Sequence, residues 1–151
     1  MAKKSADTNY NTNLAAEYLL MSLLCCAGKD AYLSLGNKKG VDIIVKTGKG
    51  AICIVEVKGV NKNNDWLIGN SGLLPSLPNM FYALVGFEGK ISDVNSAAKF
   101  YLIPSEELNK LGEFKTAKNG KTVYLSHKYI RKNYGNYLNT LKWLDAYLNT
   151  H

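Results

Sequence analysis

The run Val41-Asp42-Ile43-Ile44-Val45, the linker Lys46-Thr47-Gly48-Lys49-Gly50-Ala51, and the run Ile52-Cys53-Ile54-Val55-Glu56-Val57-Lys58-Gly59 together decide the fold. Two β-branched, apolar segments flank a glycine-rich turn at residues 47–50. This reads as a hairpin with strands over residues 41–45 and 51–58. The second strand is apolar almost without interruption, which places it centrally in a sheet, covered on both faces. Three charges, Asp42, Glu56 and Lys58, are nevertheless embedded in it and its partner. An unpaired buried charge is costly to desolvate, so something must offset these three.

Working outward, residues 1–11 are polar and read as a flexible N-terminal tail. Thr12 or Asn13 can cap a helix running to about Cys26, with Gly28 as its stop. Residues 31–35 suit a short strand or an extended lead-in, and residues 36–40 a loop. Beyond the hairpin, residues 59–78 are irregular and contain Pro75 and Pro78. Residues 80–87 and 100–103 read as strands. Ser105 caps a short helix with Glu106 and Glu107 in its first turn. Lys118-Asn119-Gly120-Lys121 is a turn before a strand at 122–125, and residues 136–148 carry leucines at helical spacing. The expectation is one α/β domain over residues 12–151, with a mixed central sheet flanked by helices.

The composition excludes several classes. With 151 residues, 46% hydrophobic and 21% charged, the chain has the make-up of a globular domain with a real core. The longest apolar run, residues 14–27, contains Glu17 and Ser22 and is too short to span a membrane. Cys25, Cys26 and Cys53 are odd in number and lie in apolar surroundings, which suits buried thiols in a reducing cytoplasm. With only His127 and His151, a histidine-rich metal site is ruled out. A net charge of +7 favours a polyanion as partner. Its distribution is uneven: from Phe114 to Leu144 there is no acid, against seven lysines and arginines.

Side chains alternate along a strand, so Glu56 and Lys58 share a face. Pairing about the turn brings Asp42 into the region of Glu56. Two carboxylates and an ammonium then converge on one sheet edge or fork. Phosphodiester hydrolysis needs such a set. Hard oxygen ligands select Mg²⁺ or Mn²⁺, which acidifies water and polarises a phosphate. Asp42 and Glu56 supply ligands, the Val57 carbonyl a third, and Lys58 stabilises developing negative charge. Glu17, the only charge between Asp7 and Lys29, is a further candidate for this acidic cluster.

A helical Glu17, a strand Asp42 and then Glu56-Val57-Lys58 resembles the PD-(D/E)XK nuclease superfamily, which includes restriction endonucleases and Holliday-junction resolvases. The resemblance covers residues 13–59. It implies a restriction-endonuclease-like αβββαβ core and a metal-dependent endonuclease acting on DNA, with Asp42 and Glu56 as ligands and Lys58 as catalytic lysine. Such nucleases often dimerise, so a homodimer is a further expectation. Two departures stand in the sequence: Val41 precedes Asp42 where the family often has proline, and residues 61–78 are rich in Asn, Gly and Pro where a helix is expected.

Plainer readings run alongside. Asp42 can cap a turn, and Glu56 with Lys58 can be an exposed pair on an edge strand. Lys38, Lys39, Lys62, Lys128, Arg131 and Lys132 are candidates for contacting nucleic acid. The basic, tyrosine-rich last third either stacks bases or covers an aromatic core layer. Trp66 covers the core or touches substrate, and His127 reads as a surface residue. A non-catalytic binding or regulatory module on the same fold is the alternative function.

Overall fold

The computed structural model describes residues 3–35, 40–69, 74–89, 91–109, 114–116, 118, 120 and 122–151. A long helix, α1 (Lys3–Cys26), precedes strands β1 (Asp30–Leu33), β2 (Ile43–Lys46) and β3 (Ile52–Asn61). Next come β4 (Trp66–Gly69), β5 (Met80–Phe87), β6 (Ala98–Pro104) and α2 (Ser105–Asn109). The chain ends with β7 (Phe114–Thr116), β8 (Val123–Leu125), α3 (His127–Asn133), a 3-10 turn (Gly135–Tyr137) and α4 (Lys142–Thr150).

The main sheet has five strands in the order β1-β2-β3-β5-β6. All its neighbours pair antiparallel except β3 with β5, which run parallel, so the sheet is mixed and β3 is its middle strand. Alternation along β3 and β5 divides the core into two layers. Val55 and Val57 of β3 and Phe81, Ala83 and Val85 of β5 pack with Ala16, Leu20 and Leu24 of α1 and Leu144 of α4. On the opposite face, Tyr82 and Leu84 pack with Trp66, Tyr101, Leu125 and Ile130. The sheet is thus flanked by helices on both faces, and β4-β8-β7 form a second, three-stranded sheet.

The hairpin folds as its sequence dictates. Gly50 adopts φ of 85° and its amide donates to the Thr47 carbonyl (3.0 Å). The Thr47 hydroxyl accepts from the Ala51 amide (2.9 Å), which fixes Lys46 opposite Ile52. α1 stops at Gly28, whose φ of 73° lets the Lys29 amide reach the Leu24 carbonyl (2.9 Å).

Four expectations need correction. The segment read as a tail is helical from Lys3, because no glycine or proline interrupts the sequence before Gly28. Among the described residues between β3 and β5 there is no crossover helix; β4 occupies that connection, so the αβββαβ order is not reproduced there. The helix expected over residues 136–148 is broken. Asn139, at φ 50°, accepts from the Phe100 amide through its side chain (3.0 Å) and donates to the Phe100 carbonyl (2.8 Å). That contact covers the outer edge of β6, and α4 starts after it. Finally, Cys25 and Cys26 are exposed and only Cys53 is buried, since α1 turns Leu20 and Leu24 inward at its last turns. Among the described residues no helix is long and apolar enough to cross a membrane.

α1 lies close against the end of β3. A β-carbon at Gly59 would stand 2.8 Å from both the Ala16 β-carbon and the Thr12 carbonyl oxygen. Gly59→Ala must therefore push α1 off the sheet and is expected to cost about 1–3 kcal/mol in urea unfolding. Gly48→Ala, with open space around it, is expected to change little.

Candidate active site at the strand fork

β2 pairs with β3 only as far as Ile43 opposite Val55. Past that point the chain before β2 diverges, and the β3 edge has no strand partner on that side. Its amides are satisfied by side chains instead. Asp42 Oδ2 accepts from the Val57 amide (2.6 Å), and the Asp42 amide donates to the Val55 carbonyl (3.1 Å). Two residues on, the Gly59 amide donates to Asn13 Oδ1 of α1 (2.9 Å). Asp42 and α1 together close the fork.

Glu56 and Lys58 project from the opposite face of β3 to Val55 and Val57, and the Lys58 ammonium meets Glu56 Oε1 at 2.5 Å. Glu56 is buried and Lys58 half-buried. Glu56 stands opposite Tyr82 on β5, whose hydroxyl donates to the Pro75 carbonyl (2.7 Å). Burial, together with the charge and hydrogen bonding of Glu56, raises the Tyr82 phenol. Glu56 Oε2 faces the bare α-carbon of Gly40, which would hold a β-carbon 3.6 Å away.

The carboxyls feel one another. Asp42 titrates above the ordinary carboxylate range, first because it is buried and then because Glu56 is near; the Val57 amide and Lys58 pull the other way. Glu17 is raised by burial and then by Asp42. The four residues singled out in the sequence therefore form one electrostatic chain: Glu17, Asp42, Glu56, Lys58. Among the described residues, no three His, Cys, Asp or Glu side chains are grouped closely enough to hold a metal. A site at the fork must then be built from the Asp42 and Glu56 carboxylates with the Val57 carbonyl. A strand residue presents its N–H and C=O to the same side, so the Val57 amide on Asp42 places that carbonyl toward the fork. Within those limits the donor set fits a hard divalent cation.

Asn13, expected as a helix cap, lies inside α1 and serves the Gly59 amide instead, and Gly40 and Tyr82 were not singled out for the site. Tyr82 enters through the parallel β3–β5 register, which no local pattern encodes. Of the basic candidates, Lys38 and Lys39 lie outside the described residues. Lys62 is exposed just past β3, and Lys128, Arg131 and Lys132 are exposed on α3, away from the fork. Trp66 is wholly buried, its indole donating to the Val85 carbonyl (3.1 Å). Tyr134 and Tyr137 are buried too, which favours the core reading for them. No protein-family model, curated protein or solved structure matches the chain.

Folding holds the Asp42 and Glu17 protons more tightly than the unfolded chain does, at ordinary values of 3.8 and 4.5. The unfolded carboxyls therefore ionise first, and stability is lost as pH rises from those values through the raised folded ones. Asp42→Asn keeps an acceptor for the Val57 amide and removes the repulsion. In chelator at pH 7.5 its Tm is expected to equal or exceed wild type, with a flatter pH profile, whereas Asp42→Ala is expected to lower Tm. Thermal denaturation across pH 4–8 checks both.

Proposed function

We propose that the chain is a divalent-metal-dependent endonuclease acting on DNA, with a restriction-endonuclease-like site. The observation that carries this reading is the fork itself. Carboxylates from two different segments, Asp42 and Glu56, meet beside one lysine, and their charges burden one another. Such an arrangement is costly for stability alone and suits a cation and a phosphate. The order of elements from α1 through β3, and the parallel pairing of β3 with β5, are compatible with an αβββαβ core lacking its crossover helix.

Asp42, Glu56 and the Val57 carbonyl would hold the cation, with Glu17 behind Asp42. Bound Mg²⁺ or Mn²⁺ supplies charge neutralisation and lowers the pKa of water at the scissile phosphate. Asp42 is held in place by the Val57 amide, so its remaining oxygen is oriented before any ligand arrives. Lys58 pairs with Glu56 and would present its ammonium protons where negative charge develops on the phosphate oxygens. Tyr82 and the bare α-carbon of Gly40 flank the Glu56 carboxylate.

A second reading, a DNA-binding module without cleavage, is favoured by one observation. Asp42 is engaged by a backbone amide and Glu56 by Lys58, so each carboxylate already has a partner.

Purified protein with Mn²⁺ or Mg²⁺ is expected to nick plasmid DNA, with Lys58→Ala and Glu56→Ala each reducing the rate by about 10²-fold or more. Calorimetry is expected to detect Mn²⁺ binding to wild type and not to Asp42→Asn. Wild-type rates in both alanine variants would sink the nuclease reading. Salt-sensitive DNA binding with no cleavage under either metal would establish the module instead.

A further inference from the structure

A second cluster lies further along the sheet face that carries Glu56 and Lys58. Its centre is Gly86 of β5, opposite Val60 of β3 and Lys99 of β6. The bare α-carbon of Gly86 leaves room for the His127 ring, whose Cε1 would stand 3.3 Å from a β-carbon there. The imidazole stacks on Trp66, with centroids 4.5 Å apart and planes 9° from parallel. Its Nδ1 lies 3.2 Å from the Asn64 carbonyl oxygen, which can only accept, so Nδ1 carries a proton. The Asp65 carboxylate binds the His127 amide (2.8 Å). Backbone, stack and amide thus fix the ring, with Nε2 as the variable position.

The surroundings are cationic. Lys99 shares the Gly86 face of β6 with Tyr101, and Arg131 follows His127 by one helical turn. The Lys62 carbonyl oxygen also stands close by, 3.6 Å from a β-carbon on Gly86, and Lys62 lines an open cleft of about 460 Å³ with Asn61, Asn64, Gly89, Ile91 and Ser92. Two acids adjoin the cluster. Asp65 is committed to the His127 amide, and Glu88 pairs with Lys99 at 2.6 Å in an exposed contact that solvent and a competing anion weaken. Burial, Arg131 and Lys99 push the imidazole below its ordinary value, against the opposing pull of Asn64 and Asp65.

We propose that His127, Lys99, Arg131 and Lys62 form a phosphate-binding site that holds the backbone of a DNA duplex away from the fork. The occupant rests on the nuclease or DNA-binding reading above; the cluster does not. From Tyr82, opposite Glu56, to Gly86 is four residues, or about 13 Å along the strand at ~3.3 Å per residue. At ~3.4 Å per nucleotide on one strand, this spans about four phosphates. A phosphodiester anion at Nε2 favours the protonated ring, so binding tightens as pH falls through the His127 value.

The test follows the two imidazoles by proton NMR in chelator, with a 20-base-pair duplex as probe and exposed His151 as internal reference. The His127 pKa is expected to start below 6.5 and to rise by about half a unit or more on saturation with DNA, while that of His151 moves less. Lys99→Gln and Arg131→Gln are each expected to weaken binding several-fold and to reduce the log–log salt slope by about 0.9. A His127 titration unmoved by saturating DNA, with unchanged salt slopes in both variants, would overturn the site. The two readings separate cleanly. DNA-dependent His127 shifts in chelator, with no cleavage once Mn²⁺ or Mg²⁺ is added, uphold this site and remove the nuclease; cleavage with either metal and no such shifts removes this site alone.

Discussion

The hydrogen bond from the Val57 amide to Asp42 Oδ2 is the contact on which the arrangement around the fork depends. β3 is the middle strand, and its far half has a neighbour only on the β5 side. A row of backbone amides left unpaired there would be costly to bury. Asp42 takes one and Asn13 takes the next, so a strand edge is completed by a loop carboxylate and a helical amide. The same two contacts bring the start of β2, the middle of β3 and the first half of α1 to one point. Gly59 permits this by removing the side chain that would hold α1 away.

That geometry makes the carboxylate of Asp42 structural and electrostatic at once. As an acceptor it ties β2 to β3; as a charge it burdens Glu17 and is itself burdened by Glu56. Lys58, paired with Glu56, relieves part of the burden on Asp42. A fork closed by a neutral side chain would avoid the repulsion altogether. A charged side chain in that position is what separates this arrangement from ordinary strand capping.

Much of the hairpin and its charged residues was legible because both depend on local rules. Thr47 to Gly50 specify the turn, the turn sets the register, and the register puts Asp42 by Glu56. The strand at Met80–Phe87 was legible for the same reason, as an apolar run between turn residues. What was not legible depends on distant partners. Asn139 breaks the last helix because the edge of β6 lies beside it, a fact outside its own window of sequence. The backward extension of α1 followed from the absence of helix breakers, which polarity obscured. Tyr82 and Asn13 acquire meaning only once β5 and α1 are docked on β3.

Among the described residues the connection from β3 to β5 holds a strand and no helix, and this has a consequence of its own. A helix between β3 and β5 would lay a continuous cylinder on this face of the sheet. Here the connection drops into β4, buries Trp66 against Val85, and passes Asn64 and Asp65 beneath the start of α3. Trp66 then offers its ring to His127, and α3 brings Arg131 to the same side as Lys99. The basic cluster therefore exists because the crossover is a strand. Glycine at position 86 completes it, since any larger residue would compete with the imidazole for the space above β5. The strand in the β3–β5 connection and the gathering of His127, Arg131 and Lys99 on this face go together in one path of the chain.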